Sequence, residues 1–153
     1  MKSLQPLADR KNGGFTLLEG LIAIAILVVI LGAGAPVALN FYLDYQFDAE
    51  YELMFSLLQQ SANLSLTNYH EASHGLYWNN QKFIVFEGNS FAVRTVAEDR
   101  IYPRSDSITI TGAGELVFAA LDGSAASTTY SLSDGRKTRY IYVNPEGLTY
   151  TDL

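Results

Sequence analysis

The chain has 153 residues, 48% of them apolar and 17% charged, which are the proportions of a folded protein and suit one domain plus a tail. Ten Lys and Arg against sixteen Asp and Glu leave a net charge of −6, which excludes a surface that binds polyanions everywhere while leaving room for a local basic patch. With no cysteine, disulfides and thiolate metal sites are excluded and the fold must stand on its core.

The first fourteen residues carry Lys2, Arg10 and Lys11 against Asp9 alone. Behind them, Gly20 to Leu39 is free of charge, and at about 1.5 Å of rise per residue such a run crosses a bilayer as a helix. The positive-inside rule then keeps residues 1–14 in the cytoplasm and sends everything after about Asp44 across. A secretory signal peptide also has a basic start and an apolar run, and "AGA" at 33–35 has the small residues of its cleavage site. Pro36 would follow that cut directly, however, and the run is longer than an ordinary signal core. A plain anchor leaves Glu19 unexplained, because a carboxylate near hydrocarbon costs about 2.5–3.5 kcal/mol on insertion scales and marks a functional contact.

The stretch "GGFTLLE", residues 13–19, resembles the class III leader of type IV pilins and pseudopilins. The resemblance implies that a prepilin peptidase cuts on the cytoplasmic side between Gly14 and Phe15 and then methylates the new amine of Phe15. Glu19 becomes the fifth mature residue, and Pro36 falls where such pilins carry a helix-kinking proline. It implies three segments: a leader, 1–14, that is removed; a transmembrane and assembly helix, 15–43; and an extracytoplasmic head, 44–153. The partners it implies are the peptidase, other pilin or pseudopilin subunits and the inner membrane, which the chain crosses once before joining a filament in the periplasm or at the cell surface. In such a filament the carboxylate of Glu19 meets the amine of a neighbouring Phe15, and the pairing offsets the cost of burying either charge alone. The bland alternative is a side chain that snorkels to the membrane edge.

"LGAGAP", residues 31–36, is a soft point. Each glycine weakens a helix by about 1 kcal/mol and the proline by about 3, while small residues also permit close helix approach. Beyond it, Phe47, Tyr51, Met54, Leu58 and Ala62 recur at helical spacing, with Asp44, Asp48, Glu52 and Gln59 mostly off that stripe. The helix should fade around Leu66 to Asn68.

The period then changes. "LYW", "KFIVFEG", "SFAVRTVA", "SITITG", "ELVFAAL", "TTYSLS" and "TRYIYV" read as short strands, and "NPEG" at 144–147 should turn the last of them back into "LTYT". Tyr140, Tyr142 and Thr138 alternate with Ile141 and Val143, so one face is covered, and the helix stripe can cover it. The expected fold is α+β, a long N-terminal helix packed on an antiparallel β-rich head. That order resembles the GspH/FimT-like group of minor pseudopilins, through architecture and length alone.

Two further patterns require a reading. "HEASH", His70 to His74, fits the zinc-protease pattern in which two histidines one turn apart bind Zn²⁺ and Glu71 is the base. The helix period is fading there and the chain has only two histidines, so Glu87 or Glu98 would have to complete the site. The expectation is a polar helix-to-strand connection, with no stoichiometric metal and no role for Glu71. The second pattern is "DGRKTR", which gathers Arg136, Lys137 and Arg139, with Arg94, Arg100 and Arg104 as a looser set. Basic residues near the C-terminus serve DNA uptake in some minor pilins that this group resembles, through phosphate contacts. Against that, charge runs are usually solvated turns, and once the leader's three basic and one acidic residues are set aside, seven basic face fifteen acidic.

No nucleophile triad, phosphate-binding loop or cofactor box is visible, and no cofactor is called for. The sequence reads as a non-enzymatic filament subunit, a minor pilin or pseudopilin. The alternative is an anchored extracytoplasmic binding module, with DNA as the candidate ligand.

Overall fold

The computed structural model describes residues 14–151, apart from the side chains at 33 and 34. The chain divides into two compact units, one up to Tyr42 and one from Leu43 onward. Helix α1 (Leu17–Leu66) contributes to both and continues through Pro36. In the first unit it is long and apolar enough to cross a membrane, and none of its apolar window is buried within the chain. Leu17, Leu18, Leu21, Ile24, Val28 and Leu31 are all exposed. Among the described residues nothing covers that apolar surface.

In the second unit α1 is amphipathic, and its buried face is the stripe read from the sequence: Phe47, Tyr51, Met54, Leu58 and Ala62, joined by Leu57. Eight strands follow: β1 (His74–Trp78), β2 (Lys82–Glu87), β3 (Arg100–Pro103), β4 (Thr109–Thr111), β5 (Glu115–Phe118), β6 (Thr128–Ser133), β7 (Thr138–Val143) and β8 (Thr149–Thr151). They form two four-stranded sheets, in the orders β3-β2-β1-β5 and β4-β6-β7-β8, with every pairing antiparallel. The α+β architecture is therefore the expected one, with the strands shared between two sheets. Leu76, Phe83, Val85 and Phe118 of the first sheet and Tyr130, Leu132, Ile141 and Val143 of the second join the helix stripe in a single core cluster. Fully burying one such side chain is worth about 1.5–3 kcal/mol, so this cluster is what holds the unit together. The alternation in β7 is as expected, Ile141 and Val143 being buried and Tyr140 exposed.

Helix α1 ends because Asn68 takes a left-handed conformation, φ 51°, which an α-helix cannot continue through. Ser65 anchors that end. Its hydroxyl donates to the carbonyl of Phe118 and accepts the backbone N–H of His74, both at 2.9 Å. The "NPEG" turn is closed by the N–H of Gly147 donating to the carbonyl of Asn144. Gly147 has φ +76°, and a Cβ there would lie 2.0 Å from the carbonyl oxygen of Gly123, so only glycine fits.

One expected strand is absent. "SFAVRTVA" forms two 3-10 turns, Phe91–Val93 and Val96–Glu98. Phe91 stacks on Tyr77 with ring centroids 3.7 Å apart, the Arg94 guanidinium lies 3.7 Å from the centre of the Phe91 ring, and Arg94 Nε donates to both carboxylate oxygens of Asp99 at 2.9 Å. These contacts override the strand preference of the local sequence.

Candidate functional site

The N-terminal segment is built by a helix start. The backbone N–H of Glu19 donates to Thr16 Oγ1 at 3.2 Å, so Thr16 caps α1 and Glu19 occupies its first turn, where a carboxylate is favoured by the helix dipole. The Thr16-to-Glu19 spacing is of the capping-box type and is the signal from which this cap could have been read. Phe15 is 82% exposed and the Glu19 side chain is also exposed. A Cβ on Gly14 would meet no atom within 4 Å, so the fold itself makes no demand for glycine at that position. Pro36 lies inside α1. Residues 1–13 of the expected leader lie outside the described residues.

At "HEASH" the helical spacing of two zinc ligands is not formed. His70 and Glu71 belong to a 3-10 turn, Tyr69–Glu71, while His74 opens β1. His70 and Glu71 both have positive φ, 53° and 56°. The turn brings His70 Nδ1 to 2.7 Å from Glu87 Oε2, and it leaves Glu71 exposed. His74 is buried and its pKa is lowered, chiefly by that burial and against the pull of Glu87. The hydrogen bond from His70 holds the Glu87 carboxyl below its ordinary range. The sequence pattern thus describes a connection, yet the fold adds Glu87 and Glu98 to it: donor atoms of His70, Glu87 and Glu98 all lie within 4.8 Å of one another.

The basic residues at the β6–β7 turn are paired at the surface with acidic side chains of α1 and of the turn itself. Arg136 Nη2 pairs with Asp44 at 2.8 Å and with Asp134 at 2.9 Å, Lys137 Nζ with Asp48 at 3.0 Å, and Arg139 Nη1 lies 3.6 Å from Asp48. Lys137 also covers the ring of Phe47, and Arg139 that of Tyr51. A phosphate would have to compete with Asp44, Asp48 and Asp134 for these cations. In the looser set, Arg94 is held by Asp99 and Arg104 is buried against Glu50.

Comparison with known families gives one result that bears on these segments. The family described as the prokaryotic N-terminal methylation motif matches residues 9–35, the stretch that contains Gly14, Phe15 and Glu19 and the first half of the exposed apolar helix. This supports a type IV pilin-like class, which is structural rather than enzymatic, and it fits membrane anchoring through α1. No curated protein and no solved structure is similar enough to this chain to count as a match.

Proposed function

We propose that this protein is a structural subunit, a minor pilin or pseudopilin of the GspH/FimT-like kind, inserted in the inner membrane with residues 44–153 outside the cytoplasm. Prepilin peptidase removes residues 1–14 and methylates Phe15, and the subunit enters a filament through α1, with Glu19 meeting the amine of a neighbouring Phe15. The observation that carries this reading is the methylation motif at residues 9–35, which runs into a helix whose apolar surface is left uncovered by the described residues.

The test is the N-terminal mass of protein extracted from membranes. It should correspond to a chain that begins at a methylated Phe15, and Gly14→Lys should leave the full-length precursor. A mature start at Pro36, or the same shortened mass in wild type and Gly14→Lys, would overturn the proposal.

A further inference from the structure

We propose that His70, Glu87 and Glu98 form a binding site for one divalent transition-metal ion of the Zn²⁺ class, with His74 beneath it and no hydrolytic role. The expectation of a metal-free connection rested on the fading helix period and the lack of a third histidine, with Glu87 or Glu98 needed to complete a site; the cluster that the fold assembles joins His70 to both carboxylates. It draws one ligand from the turn after α1, one from the end of β2 and one from the 3-10 turn Val96–Glu98.

The geometry is close to what an ion needs. Zinc binds imidazole nitrogen and carboxylate oxygen at about 2.0–2.2 Å, which sets tetrahedral donors about 3.4 Å apart. Here the three donors lie within 4.8 Å of one another and the shortest separation is the 2.7 Å between His70 and Glu87. Rotations moving each donor by about an ångström would place them around an ion, exchanging the His70–Glu87 hydrogen bond for two metal bonds. Glu98 is exposed and can make such an adjustment, while His70, also exposed, would move against its stacking on Tyr69 at 3.9 Å. A cleft of about 10 Å³, the scale of one water-sized occupant, adjoins Glu87, Glu98 and His74; its lining includes Arg100 and apolar side chains and does not include His70.

One buried side chain beside the cluster offers a further donor. The His74 side chain is only 4% exposed and its Nε2 faces the same oxygen of Glu87 from 3.9 Å, beyond hydrogen-bond distance. That nitrogen is an available fourth donor. The donor set selects the metal. Imidazole with carboxylates suits zinc, nickel or copper, whereas calcium takes six to eight oxygens. Hydrolysis is not part of the proposal, because Glu71 is outside the cluster.

The experiment uses the full-length mature chain in detergent micelles, titrated separately with Zn²⁺ and Ca²⁺ and followed by calorimetry and thermal unfolding. One Zn²⁺ per chain should bind and raise the unfolding midpoint, with no saturable Ca²⁺ binding. Glu98→Gln and His70→Ala should each weaken zinc by more than about tenfold, and Glu71→Gln should leave it unchanged. Glu98 is exposed, so Glu98→Gln keeps the fold and carries the test by itself if His70→Ala disturbs the turn. Absence of saturable zinc binding, binding that survives Glu98→Gln, or a site that prefers Ca²⁺ would each overturn the assignment.

Discussion

Glu50 and Arg104, fifty-four residues apart in the chain, form an ion pair of 2.9 Å whose side chains are only 5% and 3% exposed. The second oxygen of Glu50 accepts the N–H of Ser105 at 2.7 Å, and Arg104 donates to the carbonyl of Asn79 at 2.9 Å and to that of Ile108. The pair therefore joins α1 to the segments flanking β1, β3 and β4 with both charges satisfied. Removing one partner leaves a buried charge unpaired, so Arg104→Met or Glu50→Leu should lower stability by about 3–5 kcal/mol, while the double replacement should recover part of that loss. Chemical unfolding of the three variants measures it. Single variants within about 1 kcal/mol of wild type would mean that the pair is solvated in solution.

Tyr130 gives a prediction of the opposite sign. Its ring is fully buried and meets Trp78 edge to face at 5.0 Å, yet its hydroxyl is buried without a well-formed hydrogen bond, and burial, opposed only by Thr128, pushes its pKa up to about 12. Tyr130→Phe keeps the ring contacts and removes the unsatisfied group. Stability should stay level or rise by about 1 kcal/mol, and a clear loss would reveal a bond that the hydroxyl makes in solution.

Asp134 should mark the acid limb of the stability profile. Its Oδ1 accepts the N–H groups of Lys137 and Arg136 at 2.8 and 2.9 Å and its Oδ2 pairs with the Arg136 guanidinium. The Lys137 bond is the largest cause holding this carboxyl down from 3.8 to about 2. A pKa depressed in the folded state contributes stability that is complete above the unfolded value and is lost as pH falls through the folded one. The stability gap between wild type and Asp134→Asn should be constant above about pH 5 and close between about pH 4 and pH 2. A gap independent of pH would show that the carboxyl of Asp134 titrates alike in the folded and unfolded chain.

What the sequence revealed and what it concealed divide along the range of the interactions. The stripe from Phe47 to Ala62 and the strand runs of β2, β6 and β7 repeat a local period, and the "NPEG" turn is set by its own residues, so these were legible. The strand β3 was not, because "RIYP" contains a charge and a proline, which is tolerated only since β3 is a sheet edge. The segment Phe91 to Glu98 reads as strand and folds as turns through contacts with Tyr77 and Asp99. The partners of Arg104 and Arg136 lie on α1, far away in the chain, so a basic cluster that resembled an exposed patch proves to be paired. The His70–Glu87–Glu98 cluster needed the fold to bring three segments together. The methylation motif at residues 9–35 was legible because its residues are contiguous.

Glu19 has two candidate duties, and they predict different outcomes. If its carboxylate serves only the start of α1, beside the Thr16 cap, then losing its charge costs a few tenths of a kcal/mol of helix stability, and Glu19→Ala should be processed and assembled nearly as wild type. If it meets the amine of a neighbouring Phe15, removing the charge lowers the cost of keeping the lone subunit in lipid by a few kcal/mol, while the neighbour's amine loses its partner. The mutant should then be inserted and cut, because the peptidase reads Gly14 and the apolar run, yet accumulate in the membrane. Thr16→Val separates the two cases: it removes the cap, at about 1 kcal/mol, and leaves the charge, so it should still assemble. Glu19→Gln keeps the length of the side chain without its charge and should fail as Glu19→Ala does, whereas Glu19→Asp should be milder. The measurement is the ratio of processed subunit in sheared filaments, or in cross-linked pilin complexes, to that in membranes. An unchanged ratio in both Glu19→Ala and Glu19→Gln would assign the carboxylate to its own helix and remove the intersubunit contact.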